Sequence, residues 1–338
     1  MEKIMSSEKF DIAVIGGGAA GMMATLRGVL NNDKVVMFPG SPRDKKRSRE
    51  KWVYKVENMP GTHKYKKGIE EPNKETLEWI QESEFKDNLT FVKGKGVTEV
   101  TKNDDGSFKL IDSDGSEYEA SYVVLCTGIM DVQPHFNDSI KPILPFANAQ
   151  TVDYCLRCDG HHVYDKHTSI IGHTSGAVWV AVMLKERYNT PSMSILTNGE
   201  TPDFSDEVKT LIKAYNIEVF TEKIVDVLGD RKEGQVQGYK FASGRTLESA
   251  FSFVSLGTIV YNELAKAIGA EVDERGYVLG NEKGETNIEN FYVAGDLRAN
   301  KKKQIYTAWD MAVDSLDDIN AKIRRKKRAA LLTSKGLA

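Results

Sequence analysis

The chain has 338 residues, a mass of 37.7 kDa and a formal net charge of −3 at neutral pH. This length is enough for about two domains, each with its own core. With 40% hydrophobic and 28% charged residues, the composition excludes disordered, collagen-like and membrane-embedded proteins. The longest strongly apolar run, Ala177 to Leu184, is far shorter than the roughly 18 residues of a membrane span. Residues 1–9 contain no apolar signal core, so we expect a cytoplasmic protein that binds no membrane.

The first elements are a strand, a glycine turn, a helix and a second strand. Phe10 to Ile15 is rich in Ile and Val and predicts a strand, Met22 to Leu30 predicts a helix, and Lys34 to Phe38 predicts the next strand. The turn, Gly16-Gly17-Gly18-Ala19-Ala20-Gly21, has the spacing that lets a backbone approach a pyrophosphate and lets the helix pack closely on the strand. In this context it predicts a dinucleotide site at the helix N-terminus.

A second unit of the same kind begins at Thr168 and predicts an internal duplication. Its elements are a strand at Thr168 to Ile171, a turn at Gly172 to Ala177, a helix at Val178 to Arg187 and a strand at Met193 to Leu196. Further strands are predicted at Gly94 to Val100, Phe108 to Ile111, Ile217 to Leu228, Tyr239 to Phe241, Phe251 to Leu256 and Asn290 to Ala294. A last helix is predicted from about Ile305 to Lys327.

The three cysteines are too few for a disulfide framework in so long a chain. Cys155 and Cys158 have the CxxC spacing of a redox dithiol, in which a following helix N-terminus lowers the thiol pKa. With His161 and His162 they also raise the alternative of a zinc site, but zinc ligand pairs are normally a dozen or more residues apart, so no metal is predicted. Two unreactive reduced cysteines are a further alternative. Cys126 ends an apolar strand and is predicted to be buried and structural.

Six motifs, taken in order, resemble the low-molecular-weight thioredoxin reductase family over essentially the whole chain. They are Gly16 to Gly21, Val56 to Gly61, Leu125 to Gly128, Cys155 to Gly160, Val293 to Asp296 and Lys303 to Ala308. The resemblance implies an α/β fold with two Rossmann-like dinucleotide-binding domains, the second inserted in the first. It implies an FAD-binding domain of residues 1–128 and 251–338. Residues 129–250 would form the inserted domain, with the CxxC pair and a degenerate NADPH-type nucleotide fold.

The resemblance also implies roles for individual residues. Cys155 would be the outer thiol that attacks a substrate disulfide, Cys158 would face the flavin, and Asp159 would be the acid/base for the leaving thiol. A helix cap is the alternative role for Asp159 and for Asp296. FAD contacts are implied for Gly16, Gly18, Gly21, Asn58, Thr127, Gly128, Gly295, Asp296, Gln304 and Ile305.

The second nucleotide site departs from the family pattern. Thr174 replaces the middle glycine, so a side chain occupies the space where the backbone approaches a pyrophosphate. Where the family has a His-Arg-Arg cluster for the 2′-phosphate of NADPH, this chain has Thr197-Asn198-Gly199-Glu200. NADPH binding is therefore not predicted, and NADH is less disfavoured because an acid at this place can accept from a ribose hydroxyl. Trp179 is expected to be a core aromatic rather than a surface on which a flavin stacks.

These features resemble the pyridine-nucleotide-independent branches of the family, in which ferredoxin or a second bound FAD supplies the electrons. The basic loop Arg43 to Lys55 is predicted to attract an acidic donor such as ferredoxin. Within it, Ser48-Arg49-Glu50-Lys51 replaces the family's Gly-Gly-Gln-Leu, so no flavin contact is assigned there. The resemblance implies a thioredoxin-like disulfide substrate and a homodimer. The basic runs lack interleaved aromatic residues, so nucleic-acid binding is not predicted. The alternatives are a conventional NAD(P)H-dependent thioredoxin reductase and a non-enzymatic flavin/dithiol redox sensor.

Overall fold

A computed structural model describes residues 9–41, 49–300 and 302–337 of the chain. Residues 43–48 of the predicted basic loop, and Lys301, lie outside the described residues. The chain divides into two compact units. Unit 1 comprises residues 1–51, 69–130 and 260–338, and unit 2 comprises residues 52–68 and 131–259.

The structure alternates strands and helices along most of its length. The strands are β1 Lys9–Ile15, β2 Val35–Phe38, β3 Leu89–Phe91, β4 Val97–Lys102, β5 Phe108–Asp112, β6 Glu117–Leu125, β7 Ile129–Asp131, β8 Val152–Asp153, β9 Thr168–Ile171, β10 Met193–Leu196, β11 Glu218–Phe220, β12 Ile224–Asp230, β13 Gln235–Phe241, β14 Thr246–Glu248, β15 Phe251–Val254, β16 Thr258–Val260 and β17 Phe291–Val293. The helices are α1 Ala19–Leu30, α2 Glu70–Glu82, α3 Leu144–Asn148, α4 Leu156–Asp159, α5 Ser175–Arg187, α6 Asp206–Ala214, α7 Glu263–Ala267 and α8 Ile305–Ser334. Short 3₁₀ turns lie at Arg49–Lys51, Lys86–Asn88, Gly160–Val163 and Gly295–Leu297.

The main sheet of unit 1 has the strand order β3-β2-β1-β6-β5-β4, and β17 also pairs with β6. The strands β3, β2, β1, β6 and β17 are parallel to one another, whereas β5 pairs antiparallel with both β6 and β4. The long strand β6 has two partners on one side because its first half pairs with β5 and its last three residues pair with β17. This arrangement is that of a Rossmann-like sheet with an antiparallel extension.

The central strand β1 is buried on both faces. Ile12 and Val14 belong to a core shared with α1 and α8, whereas Ala13 and Ile15 belong to a core shared with α7. Successive side chains of a strand point to opposite faces, so a parallel strand covered on both sides forms a continuous apolar run. This packing explains why the sequence of β1 is entirely apolar from Ile12 to Ile15.

Unit 2 contains a parallel sheet with the order β11-β10-β9-β15-β8. One face is covered by α5, whose Val178 shares a core with Ile170 of β9. On the other face, Tyr239 of the antiparallel sheet β12-β13-β14 shares a core with Ile171. The strands β7 and β16 pair in a separate two-stranded ribbon.

The units differ from the predicted domain boundaries in two places. Strand β15, assigned to the FAD-binding domain by sequence, pairs in parallel with β9, and unit 1 resumes only at residue 260. Residues 52–68, also assigned to the first domain, cluster with unit 2, where the Lys55 N–H donates to Gln150 Oε1 at 2.8 Å. Unit 2 is therefore built from two segments of the chain rather than from one insertion.

Several predicted elements change at their ends. The strands at Thr168–Ile171 and Met193–Leu196 have the predicted bounds, whereas α1 begins at Ala19, ahead of the predicted start at Met22. The predicted strand from Ile217 to Leu228 divides into β11 and the beginning of β12. Trp179 is 39% exposed, so its assignment as a core aromatic is wrong. In the part of the chain that is described, no helix has the length and apolar character needed to cross a membrane.

Candidate functional site

Three predicted FAD-binding motifs lie at one edge of the unit 1 sheet. Strands β1, β6 and β17 are parallel and adjacent, and each ends where a motif begins. The first is followed by Gly16, the second by Thr127-Gly128 after Cys126, and the third by Gly295-Asp296 after Ala294. Ligands of open α/β sheets bind outside the carboxyl ends of the strands, so the sheet topology brings these motifs to such a crevice.

Glycines make the close approach of these motifs possible. Gly16 has a φ of +115°, and a Cβ placed on it would lie 2.3 Å from the Cys126 carbonyl oxygen. A Cβ on Gly21 would lie 1.8 Å from the Gly16 carbonyl oxygen. Gly295 has a φ of +75°, and its Cβ would lie 2.8 Å from that of Ala20. A side chain at any of these positions would force the turns and the first turn of α1 apart.

The N-terminus of α1 fits a pyrophosphate. Gly18 is the N-cap residue, makes no side-chain capping bond, and precedes a first turn without an acidic residue. The first N–H groups of a helix have no intrahelical acceptor and carry a partial positive charge, so they bind anions. The glycine turn and this helix end together match the geometry that FAD requires for its diphosphate.

Asp296 lies at the same edge and forms an ion pair with Arg49. The distance from Asp296 Oδ2 to Arg49 Nη1 is 3.2 Å, and both side chains are 22% exposed. The nearby Lys303 ammonium lies 3.9 Å from the ring centroid of Tyr277. Burial lowers the Lys303 pKa to about 8, although the Asp296 carboxylate opposes this shift. The sequence predicts Arg49 only as part of the basic loop, and no motif signals its pairing with a residue so distant in the chain.

Glu50 is a second residue of the unit 1 site region that sequence reasoning missed. Asn73 Nδ2 of helix α2 donates to Glu50 Oε2 at 2.8 Å. Burial raises the Glu50 pKa to about 7, with a further rise from Glu70 and an opposing effect of Lys51. Glu50 is adjacent in sequence to Arg49, the ion-pair partner of Asp296, so a carboxyl group beside this pair changes protonation near neutral pH.

The start of α8 places Gln304 and Ile305 close to Gly295. Gln304 is the N-cap residue, and its backbone N–H donates to Thr307 Oγ1 at 3.2 Å as part of a capping box. Ile305 is the first residue of the helix. Ala308 of the first turn lies 3.8 Å from the position of a Gly295 Cβ. The predicted FAD residues thus gather in unit 1, with the exception of Asn58, which belongs to unit 2.

The cysteine pair lies in unit 2 as a disulfide. Cys155 and Cys158 are bonded, with their Cα atoms 5.3 Å apart, and Cys126 is a buried free thiol. Cys155 is the N-cap residue of the one-turn helix α4, and its Sγ accepts the Cys158 N–H at 3.1 Å. Asp159 follows directly, is 6% exposed and makes no side-chain capping bond for the next turn. The arrangement favours a redox pair over two unreactive cysteines, and it does not match a cap role for Asp159.

The second nucleotide crevice has its helix N-terminus covered by backbone. Thr174 is the N-cap residue of α5, and the Ser175 N–H donates to the Asp203 carbonyl oxygen at 3.0 Å. In the turn after β10, Thr197 Oγ1 donates to the Glu200 carbonyl oxygen at 2.7 Å. The Ser175 N–H, which is the first of the helix and would bind a phosphate, therefore already donates to a protein carbonyl.

A cavity of about 290 Å³ lies beside this turn. Its lining includes His173, Thr197, Glu200 and Lys223. His173 Nδ1 is buried and has no hydrogen-bond partner among the described residues. With Asp138 and His135, which also line it, the cavity combines one lysine, two carboxylates and two imidazoles at the carboxyl edge of β9 and β10.

Residues 10–312 match the family described as Pyridine nucleotide-disulphide oxidoreductase. The chain belongs to this family. Because the match spans both units and the chain carries the Cys155–Cys158 pair, it is a thioredoxin reductase-like, flavin-dependent disulfide oxidoreductase. The predicted family, the α/β fold class and the enzyme class are confirmed.

Individual relatives of this pyridine nucleotide-disulphide oxidoreductase agree with that assignment. The chain is 25% identical over 308 residues to a thioredoxin reductase of Peptoclostridium acidaminophilum, covering 88% of this chain and 92% of the relative. It is 27% identical over 323 residues to a thioredoxin reductase of Bacillus subtilis (strain 168), covering 90% and 92%. A crystal structure of a putative thioredoxin reductase TrxB from Bacillus anthracis matches with a TM-score of 0.79 at 23% identity, covering 94% of this chain and 99% of that chain.

Proposed function

We propose that this oxidoreductase reduces a thioredoxin-like protein disulfide through Cys155 and Cys158, with FAD as its cofactor and without NADPH as its electron donor. The observation that carries the proposal is the CxxC disulfide on a family scaffold whose second nucleotide crevice has Thr174 at the glycine position and no arginine in the turn from Thr197 to Glu200. The donor is a second flavin or an acidic protein such as ferredoxin. Assembly as a homodimer is an expectation that rests on the family resemblance.

Unit 1 supplies the residues that would hold FAD. Gly16 and Gly21 let the turn pack closely against its surroundings, Gly18 stands at the N-terminus of α1 where the pyrophosphate would bind, and Asp296 would accept from a ribitol hydroxyl. When bound, FAD supplies the two-electron redox chemistry that a chain of ordinary side chains lacks. Arg49 Nη1, which lies 3.2 Å from Asp296 Oδ2, orients that carboxylate.

The dithiol chemistry follows from the local geometry of α4. In the reduced state the Cys158 N–H would stabilise a thiolate on Cys155, because a backbone donor favours the charged form of an acceptor. Attack of this thiolate on a substrate disulfide gives a mixed disulfide and releases one substrate thiol. Cys158 then displaces the second substrate thiol and restores the Cys155–Cys158 bond. Asp159 is adjacent to Cys158 and would carry the proton that each leaving thiolate takes up.

Three features of unit 2 support independence from NADPH. The Thr174 side chain stands where the family has a glycine, and the Ser175 N–H already donates to a protein carbonyl. The turn from Thr197 to Glu200 contains no arginine that could bind a 2′-phosphate, and it contributes a carboxylate instead. A cavity of about 290 Å³ at this place is at the small end of ligand sites, which favours a protein donor over a second flavin.

The cysteine mechanism is tested with the flavin-loaded protein reduced photochemically under argon. Wild type should reduce a thioredoxin-like disulfide with repeated turnover. C155S should abolish turnover, whereas the matched control C126A, which alters a buried cysteine outside the pair, should retain it. Unchanged turnover in C155S would contradict the mechanism. A single stoichiometric oxidation without turnover in wild type would favour a redox sensor instead.

The donor is tested separately by mixing the oxidised protein anaerobically with NADPH, NADH or reduced ferredoxin. We expect flavin absorbance to persist with NADPH and to be lost with a competent donor. Rapid loss of absorbance with NADPH would show the family's conventional donor and refute the interpretation of Thr174 and of the turn after β10. Two flavins per chain would identify the second cofactor as the donor, and one flavin would favour the protein donor.

A further inference from the structure

Three side chains of unit 2 converge close to the redox cysteines. His161 Nε2 lies 2.8 Å and His162 Nε2 lies 2.7 Å from the same oxygen, Glu57 Oε2. The two imidazole rings have their centroids 4.3 Å apart. Glu57 comes from the segment 52–68, and both histidines follow α4 in the 3₁₀ turn Gly160–Val163. Residues more than a hundred positions apart thus bring two imidazole nitrogens into contact with one carboxylate oxygen, and we name Glu57, His161 and His162 the Glu57–histidine cluster.

A buried carboxylate orients one of these rings. Asp153 Oδ2 lies 3.3 Å from His162 Nδ1, and Asp153 is 4% exposed. His162 therefore faces a carboxylate at each ring nitrogen, but a neutral imidazole has only one N–H. With its proton on Nδ1 towards Asp153, the ring directs the lone pair of Nε2 at Glu57. Only a second proton or a cation makes that contact favourable.

The charge of the surroundings favours a cation of more than one charge. A carboxylate oxygen of Asp159 also lies within 4.8 Å of the ligand atoms of Asp153 and His162. Glu57 and Asp153 place two carboxyl groups against His162, so a single imidazolium leaves a net negative charge when both are ionised. A divalent cation would offset this charge and satisfy the Nε2 lone pairs of both histidines.

We propose that Glu57, His161 and His162 bind a divalent transition-metal cation, for which Zn²⁺ is the best match. Two imidazole nitrogens and one carboxylate oxygen are a ligand set that Zn²⁺ takes in tetrahedral sites with a fourth, solvent position. Imidazole ligands disfavour Mg²⁺ and Ca²⁺, which take oxygen donors. Asp153 would be a positioning residue, since a metal-bound histidine commonly donates its other N–H to a carboxylate.

The geometry requires little change to receive the ion. Zinc bonds of roughly 2.0–2.1 Å at tetrahedral angles need nitrogen–oxygen separations about 0.5 Å longer than the present ones. Glu57 and His161 side chains are 36% and 48% exposed, so they can move by this amount and the ion can enter from solvent. The site uses no cysteine, which distinguishes it from a zinc site built on the CxxC pair. It would bind metal while Cys155 and Cys158 remain a disulfide, and it would tie segment 52–68 to the element that carries them.

The test uses the flavin-loaded protein with its disulfide oxidised and verified by thiol titration. Zn²⁺ is added in competition with a chromophoric chelator, and Co²⁺ is added in parallel for its visible absorption. We expect one equivalent of Zn²⁺ per chain, with affinity at least about 10-fold weaker in E57Q and H161A. The matched control H167A, which removes a histidine bonded to Ser192 outside the cluster, should bind as wild type does.

Two results would overturn the proposal. One is that the oxidised wild type does not bind Zn²⁺. Binding that appears only after the disulfide is reduced counts as this result, because it belongs to the thiols. The other is Zn²⁺ binding of unchanged affinity in both E57Q and H161A. Both variants alter exposed side chains, so retained flavin content and an unchanged thermal midpoint without metal would establish that they fold.

Discussion

Replacement of Glu50 by Gln should stabilise the protein, and the gain should grow with pH. The Glu50 carboxyl accepts from Asn73 Nδ2, and burial raises its pKa from 4.5 to about 7. The folded state therefore keeps a proton that the unfolded state has already lost. Because the folded pKa is the higher one, the free energy of unfolding of wild type falls as the pH rises from 4.5 to 7. E50Q cannot ionise, retains an acceptor oxygen for Asn73 and escapes this loss.

The size of the effect follows from the two pKa values. A rise from 4.5 to about 7 gives a stability gain for E50Q of about 3 kcal/mol at pH 8. At pH 5.5 the gain is about 1.5 kcal/mol, since the unfolded carboxyl is ionised but the folded one is still protonated. With an unfolding entropy of about 2.1 cal/mol/K per residue, these gains correspond to midpoint increases of about 4 °C and about 2 °C.

Thermal unfolding of the flavin-loaded proteins at pH 5.5 and pH 8 measures this difference. The matched control is E78Q, which alters an exposed glutamate of α2 paired with Lys74 at 3.3 Å. Exposed pairs of this kind contribute about 0.5 kcal/mol or less, so E78Q should change the midpoint little at either pH. An E50Q midpoint equal to or below that of wild type at pH 8 would refute the burial of a protonated carboxyl at this site.

Three further predictions concern packing and thiol chemistry. G21A should lose flavin and about 3 kcal/mol of stability, because its methyl would lie 1.8 Å from a backbone oxygen. The control G176A in α5 should fold normally. Flavin content and thermal midpoints measure both effects. After reduction, native protein should show two rapidly alkylated thiols, and the third, Cys126, should react only on unfolding, because burial raises its pKa to about 12. Y239F should cost about 1–3 kcal/mol in urea unfolding, because Tyr239 donates to the buried Ser252 Oγ at 2.7 Å; an unchanged midpoint would contradict this.

The elements with strong local patterns were predictable. Thr168–Ile171 consists of serine and three β-branched residues and is followed by Gly172, and its strand has the predicted ends. The close packing of the glycine turn after Ile15 was also predictable. Gly16 and Gly21 have their nearest contacts with backbone of the same turn or of the segment that follows the adjacent strand β6. By contrast, Trp179 lies in a helix with apolar residues on every side, so periodicity does not reveal which face meets solvent.

The rest of the site depends on contacts between residues far apart in the chain. The Arg49–Asp296 pair joins positions separated by 247 residues, and the Glu57–His161 contact joins positions separated by 104. Neither pair forms a spacing that a single sequence can signal. The two histidines were noticed because they follow the CxxC pair, but proximity in sequence associated them with the cysteines rather than with Glu57. The structure corrects that grouping.

The division of unit 2 into two segments limits how it can be handled as a module. The polypeptide passes between the units four times, at residues 51/52, 68/69, 130/131 and 259/260. A recombinant fragment of residues 131–259 would therefore lack segment 52–68, which forms a hydrogen bond to Gln150 and supplies Glu57. Transferring unit 2 to another reductase would require that both of its segments, 52–68 and 131–259, be transferred together. We expect a protease that cleaves segment 52–68 to destabilise unit 2 before any strand of unit 2 is cleaved.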